Sequence, residues 1–440
     1  MVNKKERATR KEDWDVIVIG GGPAGMMAAG RAGERGKKVL LLEKNPRLGE
    51  KLRISGGGRC NITNAEEDTR KFLSVYGKAE KFLHSLFSQF GVKETFSFFE
   101  SRGLPLVVQA RNRAFPKTEK ASDVAKVLEK YIGAGGVIVR SGGAVTKVHS
   151  NEGRITGVSS GKEKFFAKDY IFSTGSVSHP ETGSTGDGFR WLKGLGHSVN
   201  KPTPTIVPLS TKEEWSKTLA GVSLSFMKIT FYVEGKSHTS LDLARPRKAF
   251  SEKGKVLFTH FGLSGPLILN CAHKVDDLLH EGVVTVAIDC YPDTDLGSLE
   301  RSIIATFDKN KNKTLKNILK DIIPHGTSKG LSLLLGEKID LEKKVHSISK
   351  EDRKVIVHTL KALPLTIAGL MGFERAVVAD GGVTLEEIDT KTMRSKKIPN
   401  LYIIGDLLHV NRPSGGYSLQ LCWSSGFVAG DHVGEESKEI

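Results

Sequence analysis

The stretch over residues 15–43 constrains the fold of this chain more than any other part of it. Residues 16–19 form a short β-branched run, which is typical of a parallel strand buried on both faces. Three glycines with the spacing G-x-G-x-x-G follow directly, and a helix rich in alanine and glycine comes next over residues 24–35. A second apolar strand over residues 39–42 ends in an acid, Glu43. Together these features predict a dinucleotide-binding unit rather than a tight turn without a ligand.

The residues of this loop have distinct physical roles in the prediction. Gly20 permits the turn out of the strand, Gly22 lets the backbone approach a pyrophosphate, and Gly25 lets the helix lie close to the sheet. The N–H groups at the start of the helix point at the phosphates. Glu43 lies 18 residues after Gly25 and can accept hydrogen bonds from ribose hydroxyls, which favours FAD or NAD over NADP. The predicted contacts are Gly20, Gly22, Pro23, Ala24, Gly25 and Glu43.

Length and composition set the class of protein. A chain of 440 residues is long for one domain, so two or three domains are expected. The hydrophobic fraction of 38% and the charged fraction of 26% are those of an ordinary soluble protein. No apolar run approaches the ~18 residues that a membrane span needs, so no membrane association is expected. Residues 1–14 lack the apolar segment of a secretory signal, and we interpret them as a disordered lead-in.

The four cysteines are scattered along the sequence, at positions 60, 271, 290 and 422. No C-x-x-C pair or other metal-ligand spacing occurs, so the sequence indicates neither a disulfide framework nor a metal site. This pattern favours a reducing, cytoplasmic location. It also argues against a disulfide reductase.

The net charge of +16 allows two interpretations. A positive surface attracts the phosphates of nucleic acids, but a lysine-rich surface can also serve only to keep a protein solvated. The lysines are spread along the chain with modest clusters such as residues 309–320, and no RNA-binding motif accompanies them. A nucleic acid is therefore an unlikely partner, and a small-molecule substrate is expected instead.

Three consecutive glycines at positions 56–58 mark a second unusual loop. Such a loop offers no side chains for packing and loses much entropy when ordered, so it suits a place where the backbone lies against a planar or charged group. Arg59 and Asn61 add hydrogen-bond donors, which a simple surface turn would not need. The contacts predicted in and before this loop are Lys44, Lys51, Gly57, Gly58, Arg59, Cys60 and Asn61.

The phrase Ile-Ser-Gly-Gly-Gly-Arg-Cys-Asn-Ile-Thr-Asn, at residues 54–64, closely resembles one in a family of bacterial flavoproteins. These are NAD(P)/FAD-dependent oxidoreductases that include aminoacetone oxidase and a flavoprotein reductase of bile-acid dehydroxylation. The resemblance recurs at residues 113–123, 173–188, 257–266 and 381–430, so it covers nearly the whole chain. It implies an α/β fold with a Rossmann-like, glutathione-reductase-like FAD-binding domain.

The resemblance also implies cofactor contacts far from the first loop. Val145 would place a backbone amide against the adenine, and Thr174 with Gly175 would turn beneath the cofactor. Gly405-Asp406 is similar to the Gly-Asp pair whose acid bonds the ribityl chain, although many relatives carry the longer Glu there. The Gly-Gly that follows leads into a helix whose positive end would face the N1–C2=O edge of reduced flavin. The contacts implied at this helix start are Gly416, Tyr417 and Ser418.

The middle of the chain lacks the nucleotide-binding pattern. Residues 202–295 contain short β-rich pieces separated by turn signals. Residues 296–362 are instead rich in Lys, Leu and Ile with helical spacing. We therefore predict a FAD-binding domain formed by residues 1–201 and 363–440, interrupted by an inserted β-rich domain and a small helical cap.

A glycine loop at one end and Gly-Asp at the other predict one FAD held by a discontinuous domain, because NAD alone would not explain the C-terminal return. No second strand–glycine loop–helix unit exists, so NAD(P)H, as a possible electron donor, must bind without a dedicated domain. Two reactions stay open: NAD(P)H reduces the flavin for an enone-like or other organic acceptor, or the flavin oxidises a small amine with oxygen as acceptor. A tRNA-modifying flavoenzyme and a flavin-binding sensor without turnover are the alternatives.

The sequence identifies no catalytic residue, and its candidates are Cys60, His260 and Tyr417. The resemblance places Cys60 beside the flavin ring, but no partner cysteine accompanies it. His260 could face the flavin from the inserted domain, although a lone histidine is more often structural. Tyr417 follows the Gly-Gly pair at the start of the C-terminal helix.

Overall fold

A parallel sheet built around the first strand forms the centre of the nucleotide-binding part of the chain. The computed structural model describes residues 14–235 and 246–435. The strands in these residues are β1 (Trp14–Ile19), β2 (Val39–Glu43), β3 (Thr63–Asn64), β4 (Leu106–Gln109), β5 (Arg113–Pro116), β6 (Ile138–Ser141), β7 (Val145–Asn151), β8 (Arg154–Ser160), β9 (Glu163–Phe165), β10 (Ala167–Phe172), β11 (Val199–Thr205), β12 (Leu209–Thr211), β13 (Ser223–Gly235), β14 (Arg247–Thr259), β15 (Gly262–Ser264), β16 (Gly282–Asp289), β17 (Leu363–Leu370), β18 (Val378–Val383) and β19 (Leu401–Ile403).

The described helices lie in both the nucleotide-binding part and the middle of the chain. They are α1 (Pro23–Glu34), α2 (Glu50–Ile54), α3 (Thr69–Ser74), α4 (Glu80–Gln89), α5 (Val92–Glu100), α6 (Ala121–Ala134), α7 (Asp187–Gly194), α8 (Glu214–Lys217), α9 (Pro266–Glu281), α10 (Leu296–Lys309), α11 (Leu315–Ile322), α12 (Ser328–Gly336), α13 (Lys350–Lys361) and α14 (Tyr417–His432). Among these described helices none is long and apolar enough to span a bilayer.

The central sheet has the strand order β19-β10-β1-β2-β6, and its neighbours pair in parallel. The β-branched residues of β1 are almost wholly buried, as expected for a strand covered on both faces. Parallel pairing brings the carboxyl ends of β1, β2, β10 and β19 to one edge of the sheet. Ligands of open α/β sheets bind at this edge.

Helices from opposite ends of the chain pack together beside this sheet. A Cβ at Gly426 of α14 would lie 2.4 Å from the carbonyl oxygen of Ala24 in α1, and one at Gly430 would lie 2.4 Å from that of Ala28. Glycine is therefore needed at both positions for α14 to lie this close to α1. This helix packing and the pairing of β19 with β10 join two segments that are distant in sequence into one structural unit.

The middle of the chain forms a closed barrel with the order β12-β15-β14-β13-β16-β17. Alternate residues of β13 and β16 point into it, as the period of a strand requires. Helices α9 to α13 contribute Ile268, Ile303, Ile318, Leu331 and Ile356 to the same apolar core. The predicted β-rich and helical parts thus share one core.

The chain divides into two compact units, Met1–Thr203 with Val377–Ile440, and Pro204–Ala376. The return to the first unit was predicted at residue 363 and occurs at 377. The reason is that β17 pairs with β16 and β12 in the barrel, so residues 363–376 belong with the inserted part. The predicted lead-in falls on residues 1–13, outside the described residues, whereas Trp14 already begins β1.

Candidate functional site

The first glycine loop is tight on its inner side and open on its outer side. A Cβ at Gly25 would lie 1.9 Å from the carbonyl oxygen of Gly20, whereas a Cβ at Gly22 would have no neighbour within 4 Å. Gly20 adopts a φ of 107°, which favours glycine. Helix α1 starts at Pro23 with no side chain capping its first turn. The loop therefore leaves open space beside the first turn of a helix, whose N–H groups attract a phosphate.

Glu43 closes the end of β2 with a buried carboxylate. Its Oε2 accepts a hydrogen bond from the N–H of Gly21 at 2.6 Å, and its Oε1 accepts one from Asn45 at 2.7 Å. A carboxylate has about four acceptor positions, so both oxygens retain capacity for a ribose hydroxyl. The hydrogen bond to Gly21 fixes the acid against the glycine loop, as the predicted role requires.

The start of β7 lies beside the end of β2. The N–H groups of Gly142 and Gly143 donate to the carbonyls of Asn45 and Glu43, at 2.9 and 3.4 Å. Val145, the first residue of β7, is buried. The structure thus brings Val145 to the same edge as the glycine loop.

Lys44 contacts the loop that precedes α7. Its Nζ lies 3.0 Å from the carboxylate of Asp187 and donates to Thr185 Oγ1 at 2.7 Å. The lysine is therefore already paired. Its contacts hold residues 182–187 against the end of β2. The hydrogen bond from Asn45 Nδ2 to the carbonyl of Thr182, at 2.9 Å, supports the same contact.

Polar atoms without partners follow strand β10 at the same edge. Thr174 Oγ1 and Ser176 Oγ are buried and have no hydrogen-bond partner within the described residues, and the same holds for Asn61 Oδ1 in the second glycine loop. Gly175 between the two hydroxyls has a φ of 72°. Buried polar groups are nearly always paired, so these orphaned atoms fit the binding of a polar group that the chain itself does not supply.

Gly405 and Asp406 follow β19, where the sequence predicted them. The N–H of Gly405 donates to Ser425 Oγ of α14 at 3.0 Å. Gly405 has a φ of 64°, and a Cβ there would lie 3.0 Å from that of Ala24. This packing places Asp406 beside the start of α1.

Arg412 forms an ion pair with Asp406, and sequence reasoning missed it. Its side chain is 1% exposed, and its Nη1 donates to the carbonyl of Val410 at 2.6 Å while its Nε donates to Ser418 Oγ at 3.0 Å. The guanidinium thereby links Asp406, three residues beyond β19, to the first turn of α14. In the sequence, the feature that could have indicated this role is the position of the arginine between the Gly-Asp and Gly-Gly motifs.

Lys51 adds a second cation to this region. Its Nζ donates to Ser178 Oγ at 3.1 Å. Desolvation lowers the pKa of Lys51, and the positive charge of Arg412 acts in the same direction, whereas Asp406 opposes it. Lys51 therefore lies close enough to the Asp406–Arg412 pair for their charges to affect its pKa.

The backbone just before helix α14 lies in close contact with β3. Gly416 has a φ of 103°, and a Cβ there would lie 2.2 Å from the carbonyl carbon of Thr63, so no other residue fits. Tyr417 packs on Phe72 and Tyr76, with ring centroids 5.2 and 5.9 Å apart, and desolvation raises its pKa. The N-cap residue of α14 is Gly416, which has no side chain to cap the first turn, and the positive end of a helix attracts an anion.

Residues 56–59 of the second glycine loop are exposed, whereas Cys60 is buried. Gly57 and Gly58 have positive φ values of 67° and 82° and no neighbours around a Cβ. Arg59 lies over the ring of Phe115, with its Cζ 4.5 Å from the centroid. Cys60 is fully buried, and desolvation raises the pKa of its thiol to about 12. The thiol is therefore protonated at neutral pH and is poorly suited to thiolate chemistry.

His260 lies in the turn between β14 and β15 of the second unit. It is exposed, and its ring contacts that of Phe261 edge-on, with centroids 4.8 Å apart. Its predicted position opposite the flavin stays a prediction.

A model of the HI0933-like protein Rossmann domain matches residues 14–432. The chain belongs to this family. A 3-dehydro-bile acid delta(4,6)-reductase from Clostridium scindens is 26% identical over 95% of this chain and 98% of its own length. A ribosomal RNA dihydrouridine synthase from Escherichia coli is 29% identical over 95% of this chain and 97% of its own length.

Solved structures support the fold of this family member. A 3-ketosteroid-delta4-(5alpha)-dehydrogenase from Rhodococcus jostii matches 98% of this chain and 99% of its own with a TM-score of 0.52 and 15% identity. The family and the fold confirm the predicted class: an α/β FAD-dependent oxidoreductase with a Rossmann-type domain and additional sheet and helical parts. Bound FAD supplies hydride transfer at its N5.

Proposed function

We propose that this protein uses NAD(P)H to reduce a carbon–carbon double bond that is conjugated to a carbonyl group. Two of the full-length relatives carry this proposal, because their names describe the same chemistry on different molecules. A delta(4,6)-reductase of a 3-dehydro bile acid saturates bonds in conjugation with a ketone, and a dihydrouridine synthase saturates the C5–C6 bond of uracil beside its C4 carbonyl. In the reaction proposed for this protein a hydride and a proton add across the double bond, and NAD(P)H becomes NAD(P)⁺.

The residues at the edge of the central sheet are proposed to hold the FAD. The open side of the glycine loop and the start of α1 suit the pyrophosphate, and Glu43 suits the adenosine ribose. Asp406 would bond the ribityl chain, with Arg412 fixing its position. The uncapped start of α14, together with Lys51 and Arg412, supplies positive charge that favours a reduced, anionic flavin.

RNA is the second candidate for the substrate. The Escherichia coli relative is named for ribosomal RNA, and the net charge of +16 suits a phosphate backbone. This would change the partner but not the chemistry, since uridine is also a conjugated carbonyl compound.

Anaerobic bleaching of the purified yellow protein tests the proposal. We expect NADH or NADPH to bleach the flavin absorbance near 450 nm, and an acceptor with an enone or uracil group to restore it. A 4-en-3-one steroid and a ribosomal RNA transcript are the two acceptor arms, and the corresponding saturated steroid is the control. Product analysis would then show a mass gain of two hydrogens.

Amine oxidation predicts the opposite half-reaction. Bleaching by a small amine such as aminoacetone, with no bleaching by either nicotinamide nucleotide, would overturn the reductase proposal. Bound FAD that no donor reduces would instead favour a sensor.

A further inference from the structure

Three arginines converge around the hairpin formed by β4 and β5 in the first unit. Arg111 lies in the turn of this hairpin and Arg113 begins β5. Arg59, at the end of the second glycine loop, reaches the same hairpin, because its Nη1 lies 3.4 Å from Gln109 Oε1 and its guanidinium covers the ring of Phe115. Gln109 is the ladder partner of Arg113. The side chains thus come from three separate positions to one end of a small sheet.

The hairpin turn adopts a costly backbone conformation. Arg111 and Asn112 have φ values of 63° and 54°, a region that residues other than glycine seldom adopt. Hydrogen bonds hold the turn in place: Asn64 Nδ2 donates to the carbonyls of Arg111 and Gly415, at 3.2 and 3.3 Å. Gly415 lies two residues before the start of α14. The turn therefore presents Arg111 next to the loop that leads into the candidate site.

The positive charges in this cluster are poorly compensated. Partial burial lowers the pKa of Arg113, and the like charges of Arg111 and Arg59 lower it further. Within the described residues, neither Arg111 nor Arg113 has an acidic partner, and Arg59 has only Glu119 at 3.4 Å. Glu119 is shared, since it also accepts a hydrogen bond from Gln109 Nε2 at 2.7 Å.

The other charged groups near the cluster do not change its sign. Lys117 and Lys120, on the connection from β5 to α6, are exposed and add positive charge. Glu66, two residues after Asn64, donates its N–H to Asn64 Oδ1, and its carboxylate accepts a hydrogen bond from the N–H of Asp68. Like charges held together without a counter-charge are unfavourable unless an anion binds between them.

We propose that Arg59, Arg111 and Arg113 form a binding site for a phosphate ester of a nucleotide ligand, beside the start of α14. Arginine suits this role because its planar fork matches the geometry of phosphate oxygens. The site goes beyond the reaction proposed above, because it assigns a ligand group rather than a reducible bond. Two sources offer the same chemistry: the backbone of an RNA strand and the phosphates of NAD(P)H.

Direct binding measurements on the FAD-loaded protein separate these sources. A fluorescein-labelled single-stranded RNA of 12 nucleotides is titrated by anisotropy, and NADPH is titrated by calorimetry. Arg113→Gln and Arg111→Gln are each expected to weaken binding of one of the two probes on the order of tenfold, since a hydrogen bond to a charged group contributes about 1.5–3 kcal/mol. For RNA, the slope of log K against log salt should also fall by about 0.7 for each arginine removed.

Two further variants test the charge rather than the fold. Arg111→Gly relieves the positive φ and should melt no lower than the parent protein, yet it should bind as weakly as Arg111→Gln. Glu119→Gln removes the competing carboxylate and should strengthen binding. Arg140→Gln is the matched control, because it removes an exposed arginine that pairs with Glu163 away from this cluster.

The outcomes decide the proposal in both directions. Weaker RNA binding in the cluster variants, with Arg140→Gln unchanged, supports an RNA phosphate, and the same pattern with NADPH alone supports the dinucleotide. If neither probe distinguishes the cluster variants from Arg140→Gln, the proposal is overturned. Because both readouts are equilibrium binding, this result would stand whether or not the protein reduces a conjugated double bond.

Discussion

At the scale of single residues, Arg412 is the strongest functional observation of this structure. Removing a guanidinium from water is expensive, and the attraction to one carboxylate repays it only when further hydrogen bonds satisfy the remaining donors. Arg412 meets this condition with Asp406, the carbonyl of Val410 and Ser418 Oγ. An arginine fixed in this way can both orient Asp406 and keep a positive charge at a defined position.

We expect Arg412→Gln to bind FAD more weakly and to shift the midpoint potential of the flavin to more negative values. The physical reason is the loss of a positive charge that favours the reduced, anionic flavin. Arg412→Lys is the matched variant: it keeps the charge but not the fork, so FAD affinity should fall while the potential changes less. Spectroelectrochemical titration and FAD release measure the two effects. Unchanged potential and affinity in Arg412→Gln would contradict the assigned role.

A second pair of substitutions separates folding from cofactor binding in the first glycine loop. Gly25→Ala would force a Cβ against the carbonyl oxygen of Gly20, and overpacking of this kind costs about 1–3 kcal/mol. Gly22→Ala meets no neighbour and keeps an extended backbone, with a φ of −76°. We therefore expect Gly25→Ala to melt at a lower temperature without FAD, and Gly22→Ala to melt normally but to bind FAD poorly. Equal melting temperatures in the two variants would argue against this division of roles.

Local spacing explains why the first loop could be predicted and Arg412 could not. The roles of Gly20, Gly22 and Gly25 follow from a strand, a turn and a helix that are adjacent in sequence. The contacts of Arg412 also lie within six residues, but the burial that makes them significant depends on α14 packing on α1, which no local pattern reveals. The orphaned hydroxyl of Thr174 likewise becomes visible only in three dimensions.

At the scale of elements, a buried histidine connects three segments of the first unit. His197 Nδ1 lies 2.7 Å from Glu387 Oε2, and its Nε2 lies 2.9 Å from Ser395 Oγ. Ser395 Oγ also accepts hydrogen bonds from the N–H groups of Lys397 and Ile398. The side chain of His197 has no exposed surface. The cluster resembles a catalytic triad in its order of groups, but its burial and backbone hydrogen bonds indicate a structural role.

The protonation of this cluster predicts the acid sensitivity of the fold. Burial lowers the pKa of His197 below its ordinary 6.5. Burial alone would raise the pKa of Glu387, but hydrogen bonds, the largest from Lys397, lower it to about 2 from 4.5. In both groups the unfolded chain binds protons more readily than the folded one, so stability rises with pH. The protein should lose stability as the pH falls below 6.5, and again between 4.5 and 2.

Urea unfolding at pH 7, 5 and 3 checks this expectation. Glu387→Gln should be less stable than the parent protein at pH 7, and the difference should shrink between pH 4.5 and 2, where the parent loses its carboxylate. Glu386→Gln is the matched control, because Glu386 occupies the same short helix but is exposed. A difference between Glu387→Gln and the parent that is constant with pH would rule out this source of acid sensitivity.

The elements also show where sequence patterns stop being sufficient. The alternation of β17 identifies a strand, but alternation does not say which sheet the strand joins. For this reason the sequence predicts residues 363–370 to be part of the FAD-binding domain. In the structure they close the barrel instead. The helices after residue 296 were predicted as a separate cap by the same reasoning, since their shared core with the barrel depends on packing.

At the scale of the whole molecule, the first unit cannot be completed by the N-terminal part of the chain. Strand β19 adds to the sheet through β10, and α14 supplies Leu421, Trp423 and Val428 to the same apolar core as α1. The sequence could predict that the C-terminal segment rejoins the first unit, because Gly-Asp at residues 405–406 and the glycine loop at residues 20–25 belong to the same FAD-binding pattern. The physical consequence is that the proposed FAD would couple two segments that are distant in sequence.

Hydrogen exchange of the apoprotein and the FAD-loaded protein tests this coupling. A ligand that binds only the folded state at 100 times its Kd stabilises that state by about 2.7 kcal/mol, and exchange reports where the added protection falls. We expect slower exchange both in residues 20–26 and in residues 405–418, because one cofactor would contact both. Gly22→Ala is the control, since weak FAD binding should abolish the added protection in both segments together. Protection confined to residues 20–26 would mean that a mononucleotide fragment suffices for binding, and it would remove the basis for a flavin held by both ends of the chain.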